Sequence, residues 1–153
     1  MIKKLNNNHL KVAEKIRAVF QVSYKIEAQL LNATDFPPLK RPLRSYIDSK
    51  NDFYGYLKNN KLAAVIEIHH TEKRTLIRSL VVAPLFFRQG IAGEFLQFIF
   101  ETYHTKLFLV ETGAANRPAT TLYKKYGFIE TMQWDTDHGI RKVKYEKKTR
   151  NQP

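Results

Sequence analysis

The chain has 153 residues, the length of one ordinary domain, and 43% of them are hydrophobic, including ten Phe and eight Tyr. It has no cysteine, which excludes disulfide frameworks, thiolate nucleophiles and cysteine-based metal sites. A net charge of +12 favours anionic partners, phosphates above all. The N-terminus turns polar at Asn6, and the longest apolar run, Leu80 to Phe87, is far shorter than the roughly 20 residues of a membrane span. We therefore expect a cytoplasmic protein without a leader or membrane segment.

The first half of the chain predicts helices followed by an extended region. A short strand over residues 1–5 precedes a helix for which Asn8 is the expected N-cap, because apolar residues recur near a 3.6 period over 12–30. The proline pair at 37–38 must stop this helix, since proline lacks the amide donor. A short helix is expected over 43–49. Three extended segments then predict an antiparallel meander: 53–57, 62–70 and 75–82.

The second half alternates helices with strands. A largely buried helix is expected over 91–102, a strand over 106–111 and a helix over 118–126 that Gly127 closes. The last two strands, expected over 128–134 and 140–146, form a hairpin. This order predicts an α+β, three-layer fold: a mixed, mostly antiparallel sheet of about seven strands with helices on both faces. We interpret 1–148 as one domain and 149–153 as a frayed tail.

An apolar strand runs through a short loop directly into a helix between Val81 and Gly93. The unpaired amides of a helix start, the positive end of its dipole and the adjacent Arg88 together favour an anion at this point. Gly90 and Ala92, like Gly93, are small enough to let the main chain approach a ligand. The alternative is a turn with only a packing role.

Two stretches together resemble the GNAT superfamily of N-acetyltransferases. Val82-Ala83-Pro84 and Gly90-Ile91-Ala92 have the spacing of the family's cofactor loop, although Phe87 stands where the family usually has Arg or Gln. The second stretch matches a later family segment at six positions: Asn116, Ala119, Leu122, Tyr123, Gly127 and Phe128. The resemblance implies acetyl-CoA as co-substrate, with its pyrophosphate bound mainly by main-chain amides.

The resemblance also implies roles for individual residues. Val81 and Val82 are expected to offer main-chain groups to the pantetheine arm and to the oxyanion of the reaction. Tyr123 is implied as the acid that protonates the departing thiolate, with packing as its alternative role. Asn116 is expected to contact CoA or to cap the following helix. The expected cofactor contacts in the loop are Arg88, Gln89, Gly90, Ile91, Ala92 and Gly93.

An acceptor amine must lose a proton before it attacks a thioester, so a base is needed. Glu67 lies in mid-strand, where a carboxylate is costly to bury unless it is paired or protonated, and it is our first candidate. Pairing of Glu67 with a nearby arginine such as Arg78 is the alternative, and an ordered water chain would then replace Glu67 as the base. The adjacent His69 and His70 point to opposite faces of a strand, so we expect no metal site.

The family's acceptor groove implies that Tyr24, Glu27, Phe36, Trp134 and the turn over 135–138 lie near the thioester. The sequence thus predicts an N-acetyltransferase that moves an acetyl group from acetyl-CoA to a primary amine of a small molecule or a peptide, by direct attack through a tetrahedral intermediate. Two alternatives stay open: a catalytically silent CoA-binding sensor, and a basic nucleic-acid-binding module for which no recognised motif is present. The edge strands of the last hairpin leave a homodimer open.

Overall fold

The computed structural model describes residues 1–149 and contains one seven-stranded sheet. Its strands are β1 (Ile2–Leu5), β2 (Asp52–Lys58), β3 (Lys61–His70), β4 (Thr75–Val82), β5 (Leu107–Gly113), β6 (Ile129–Asp135) and β7 (Arg141–Lys148). Their order is β1-β2-β3-β4-β5-β7-β6, and only β4 and β5 are parallel. The predicted fold class is therefore confirmed. Of the predicted tail, Thr149 donates its amide to Lys106 O at 2.8 Å, and the rest lies outside the described residues.

Within residues 1–149 four α-helices accompany the sheet: α1 (Leu10–Leu30), α2 (Leu43–Asp48), α3 (Ile91–Thr102) and α4 (Arg117–Lys125). The N-cap of α1 is His9 rather than the predicted Asn8, whose side-chain amide instead donates to Ile47 O at 2.7 Å. The proline pair lies beyond the end of α1 and begins a short 3-10 helix, Pro37–Lys40. No helix within residues 1–149 is long and apolar enough to cross a bilayer.

The helices cover the two faces of the sheet. α1 and α2 pack on one face, against Phe53, Val65 and Val81. α3 and the apolar side of α4 pack on the other, against residues such as Ile66 and Ile68. Because successive side chains of a strand point to opposite faces, this alternation places Glu67 beneath α1 and α2.

The pairing of β4 changes at Arg78, and this change positions the candidate site. Glu67 pairs with Ser79 whereas Ile68 pairs with Ile77, so Arg78 is an extra residue in β4 and forms a bulge. The last pair between β4 and β5 is Ile77 with Val110. Beyond it the two strands separate, and the gap opens toward the end of β4.

Candidate functional site

A cavity of ≈ 560 Å³ lies where β4 and β5 separate. Its walls come from α1, the segment between α1 and α2, the middle of β4, the end of β5, the first turns of α4 and the β6–β7 hairpin. The volume is in the range of small-molecule binding sites. Because the gap in the sheet connects the two faces, residues of α1 and of α4 line the same space.

Two stripes of side chains face each other across this cavity. On α1 and its C-cap, the lining residues follow the helical period: Phe20, Tyr24, Glu27 and, at the C-cap, Leu31. On α4 they are Asn116, Ala119 and Tyr123. Gly113, at the end of β5, permits this approach of α1, because a Cβ there would lie 2.5 Å from a methyl carbon of Leu31.

The predicted acceptor residues divide into two groups. Tyr24, Glu27 and Phe36 line the cavity, and the rings of Tyr24 and Phe36 meet edge to face with centroids 5.7 Å apart. Trp134 does not line it, because β6 is the edge strand and lies beyond β7, one strand further from the gap. From the predicted 135–138 turn, His138 reaches the cavity.

Tyr123 lies on α4 with 5% of its surface exposed, and its hydroxyl has no hydrogen-bond partner within residues 1–149. Burial and the nearby charge of Glu27 raise the pKa of this hydroxyl, which, like that of any ordinary tyrosine, is protonated at neutral pH. A protonated hydroxyl that faces a cavity can donate to an anion formed there. This geometry suits the acid role expected for Tyr123.

Both polar atoms of the Asn116 side chain form hydrogen bonds inside the protein. Its Oδ1 accepts from the Ala119 amide at 3.3 Å and caps α4, as one of the two alternatives predicted. Its Nδ2 donates to Glu27 Oε1 at 2.6 Å. The second contact joins α4 to α1, which are 89 residues apart at this point. The arrangement favours the capping role over a direct contact with a cofactor.

Glu67 is fully buried, and donors surround both of its carboxylate oxygens. Arg41 donates from Nη1 to Oε1 at 2.7 Å and from Nη2 to Oε2 at 3.1 Å. Asn51 Nδ2 donates to Oε2 at 2.8 Å, and Ser79 Oγ donates to Oε1 at 3.1 Å. Glu67 does not line the cavity. A carboxylate that accepts this many hydrogen bonds has a structural role. The geometry therefore favours pairing of Glu67 with arginine over the role of base.

Glu67 pairs with two arginines, and Arg41 is a closer partner than Arg78, the arginine named as the example. Arg78 Nε lies 3.6 Å from Glu67 Oε2, and the Arg78 side chain is 57% exposed. The Arg41 side chain is 13% exposed, and its guanidinium carbon lies 4.1 Å from the centre of the Tyr46 ring. Sequence reasoning missed Arg41, because its position over β3 depends on the path of the chain after the proline pair.

The loop between β4 and α3 presents unpaired amides. The N–H groups of residues 88–93 have no acceptor within residues 1–149, and the first helical bond of α3 runs from Glu94 N to Gly90 O at 3.1 Å. Arg88 and Gly90 both have positive φ, 62° and 78°. A backbone in which residues of positive φ alternate with residues of negative φ turns successive N–H groups toward one point, where they can bind an anion.

The small residues of this loop have different roles. A Cβ at Gly90 would meet nothing within 4 Å, so the space above its backbone is open. At Gly93, which is buried, a Cβ would lie 2.3 Å from the Tyr126 hydroxyl oxygen. Gly93 therefore lets α3 approach α4, which favours a packing role over the predicted clearance for a ligand. Gln89 accepts a hydrogen bond from Lys58 across the loop.

The main-chain groups at the end of β4 alternate between β3 and the gap. Ala83 N donates to Ala63 O at 2.8 Å, so by antiparallel alternation Val81 also directs its N–H and C=O to β3. Leu80 and Val82 direct theirs to the gap. Of the two residues predicted to offer main-chain groups, Val82 is thus placed to do so, and Leu80 joins it.

No group of three or more His, Asp or Glu side chains in the described part of the chain is arranged to hold a metal ion.

Comparison with known proteins links this chain to a family. The family model for the acetyltransferase (GNAT) domain matches residues 28–149. The UPF0157 protein YqkA of Bacillus subtilis (strain 168) is 33% identical over 129 residues, which cover 84% of this chain and 38% of that protein. The chain thus spans about two fifths of the length of the curated relative it matches.

Two solved structures have the same fold. The ribosomal-protein-S18-alanine N-acetyltransferase of Escherichia coli aligns with a TM-score of 0.76 and 17% identity over 97% of this chain and 92% of that chain. The PaiA N-acetyltransferase of Thermoplasma acidophilum, solved in complex with coenzyme A, aligns with a TM-score of 0.72 and 17% identity over 97% and 99%. At such identities the likeness shows the fold alone. The match of the family model to most of the chain shows more: this chain belongs to the GNAT acetyltransferase family.

Proposed function

We propose that this chain is an N-acetyltransferase that uses acetyl-CoA to acetylate a primary amine. The observation that carries the proposal is the separation of β4 from β5 beyond Ile77. The gap lies between the free amides of residues 88–93 and the cavity that holds the Tyr123 hydroxyl. An elongated cofactor with an anionic end and a reactive end fits this arrangement.

The residues along the gap fit acetyl-CoA part by part. The amides of 88–93, with Arg88 beside them, would bind the pyrophosphate. The main-chain groups of Leu80 and Val82 would pair with the amides of the pantetheine arm, as a neighbouring strand would. Coenzyme A in the PaiA structure supports this choice of cofactor. Bound acetyl-CoA supplies an acetyl group activated as a thioester.

The chain's own groups would then assist the transfer. A main-chain N–H of β4 that faces the gap can stabilise the oxyanion of the tetrahedral intermediate. Tyr123, which keeps its proton at neutral pH, would protonate the departing sulfur. Tyr24 and Phe36 offer aromatic surface to the apolar part of an acceptor.

Thiol release in the presence of acetyl-CoA and a panel of amines tests this function. The panel comprises spermidine, histamine, tyramine, phenylalanine and a peptide with a free α-amino group and a lysine. We expect amine-dependent release of CoA with at least one member, and an acetylated product in its mass spectrum. Acetyl-CoA binding measured by calorimetry without any amine-dependent release would contradict the transferase and favour the sensor.

Replacement of Gly90 by alanine should weaken acetyl-CoA binding about tenfold or more, because a Cβ disfavours φ of +78° and would stand where the pyrophosphate approaches. Gly139→Ala is a matched control, since Gly139 has φ +82° and a Cβ there also meets nothing within 4 Å. Both variants should lose similar thermal stability, whereas calorimetry should show weaker binding only for Gly90→Ala. Equal affinity in the two variants would remove the loop from the cofactor site.

A further inference from the structure

We propose that Glu27 of α1 receives the ammonium group of the acceptor and removes its proton. The inference rests on the proposed function and supplies the base that the occupied carboxylate of Glu67 does not. Glu27 lines the cavity on the same helical stripe as Tyr24, opposite the α4 stripe that carries Tyr123. The groups proposed to take a proton from the nitrogen and to give one to the sulfur thus lie on facing walls.

The hydrogen bonding of Glu27 leaves one of its oxygens available. Oε1 accepts from Asn116 Nδ2 at 2.6 Å, which fixes the carboxylate against α4. Oε2 has no hydrogen-bond partner within residues 1–149. Glu67 is the opposite case, since both of its oxygens accept from two donors each. A base needs an accessible lone pair, and of these two carboxylates only Glu27 offers one to the cavity.

The surroundings of Glu27 adjust its proton affinity. Burial raises the pKa of the Glu27 carboxyl, while the hydrogen bond from Asn116 and the charge of Lys142 lower it, and burial is the largest effect. The other titratable groups that face the cavity beside it are Tyr24, Tyr123, Glu111, His138, Arg41 and Arg78. A carboxylate with a raised pKa is a stronger base than an ordinary one, and it becomes ionised, and so able to take a proton, at a higher pH.

The proton balance of the reaction closes with these groups. Glu27 takes one proton from the ammonium, and the nitrogen lone pair then forms the N–C bond to the acetyl carbon. The C–S bond breaks, and its electron pair goes to sulfur, which takes a proton from Tyr123. As the amide forms, the nitrogen loses a second proton, which restores the Tyr123 hydroxyl. The proton on Glu27 returns to water, so each turnover releases one proton.

Glu111 is the rival carboxylate in this cavity. It lies on β5 with 41% of its side chain exposed, and its Oε1 accepts from Lys142 Nζ at 3.3 Å. Its contact with the cation and its exposure favour a surface ion pair over the role of base. Because both residues line the same space, a test of Glu27 must include Glu111.

The test compares Glu27→Gln with Glu111→Gln and with Glu14→Gln, a control on the exposed side of α1. Glutamine keeps the acceptor oxygen for Asn116 and preserves the shape of the cavity. With the panel amine of highest kcat/KM, we expect Glu27→Gln to lower kcat/KM by about 10²-fold or more and the two other variants to change it less than about threefold. Thermal unfolding and acetyl-CoA calorimetry should be unchanged in all three.

The pH profile adds a readout that a purely structural role would not move. The acidic limb of kcat/KM should vanish in Glu27→Gln. In Asn116→Ser the serine still caps α4, but the donor to Glu27 is lost, so the pKa of Glu27 rises and the limb moves to higher pH. Full activity of Glu27→Gln, or a loss confined to Glu111→Gln, would overturn the assignment while the transferase stands. Absence of turnover with every amine in wild type would contradict the proposed function and this inference with it.

Discussion

Replacement of Arg41 by alanine should lower the free energy of unfolding by about 3–5 kcal/mol, because it leaves the fully buried Glu67 carboxylate without its bidentate partner. The guanidinium also lies over the Tyr46 ring, so the substitution removes packing as well as charge. Chemical denaturation monitored by circular dichroism measures the difference.

Arg44→Ala is the matched control for this prediction. Arg44 forms an exposed i,i+4 pair with Asp48 in α2, with 78% and 58% of the side chains exposed, and its loss should cost no more than about 0.5 kcal/mol. The double variant Arg41→Met, Glu67→Leu should recover most of the stability, since no unpaired charge stays buried. If Arg41→Ala were as mild as Arg44→Ala, the ion pair would not hold the segment between α1 and α2 in place.

Replacement of Tyr123 by phenylalanine should lower kcat by about 10²-fold or more, because the CoA thiolate would leave without its proton donor. The hydroxyl makes no hydrogen bond within residues 1–149, so its removal breaks no internal contact and the fold should be unaffected. Acetyl-CoA affinity should change little, since the proposed role of the hydroxyl begins only when the C–S bond breaks. Steady-state kinetics with the panel amine of highest kcat/KM, together with calorimetry, separate the two effects.

Tyr126→Phe provides the comparison for Tyr123. Tyr126 follows directly after α4 and does not line the cavity, so the same chemical deletion there should leave kcat unchanged. Equal turnover of Tyr123→Phe and wild type across the pH range, with the fold intact, would remove Tyr123 from the mechanism. The residue would then have only the packing role that its contacts with Phe128 and Tyr145 provide.

Most of the fold could be predicted from local sequence patterns. The apolar run of β3, the 3.6 period of α1 and α3, and the glycine after α4 are signals that neighbouring residues determine, and each element lies near its predicted range. Asn8 failed as the N-cap because a tertiary contact, its hydrogen bond to Ile47 O, engages the side chain. The loop from Pro84 to Gly93 could be predicted because a strand, a turn and a helix start are contiguous in the chain.

The acid–base geometry of the site could not be predicted in the same way, because it depends on contacts between distant residues. The Arg41–Glu67 pair joins positions 26 residues apart, and the Glu27–Asn116 hydrogen bond joins positions 89 apart. No spacing rule connects such partners. Both contacts form because α1 and the segment after it cover the sheet where β4 and β5 separate. For that reason the family resemblance predicted Glu27 only as a residue of the acceptor groove, and not as the carboxylate with an oxygen that accepts no hydrogen bond within residues 1–149.

A crystal structure with acetyl-CoA bound tests the central claim most directly. The account predicts pyrophosphate oxygens within about 2.7–3.2 Å of amide nitrogens in residues 88–93, and the acetyl group in the gap between β4 and β5, beside the Tyr123 hydroxyl. A cofactor bound elsewhere, or no bound cofactor at saturating concentration because the loop's own side chains fill the space above Gly90, would contradict it.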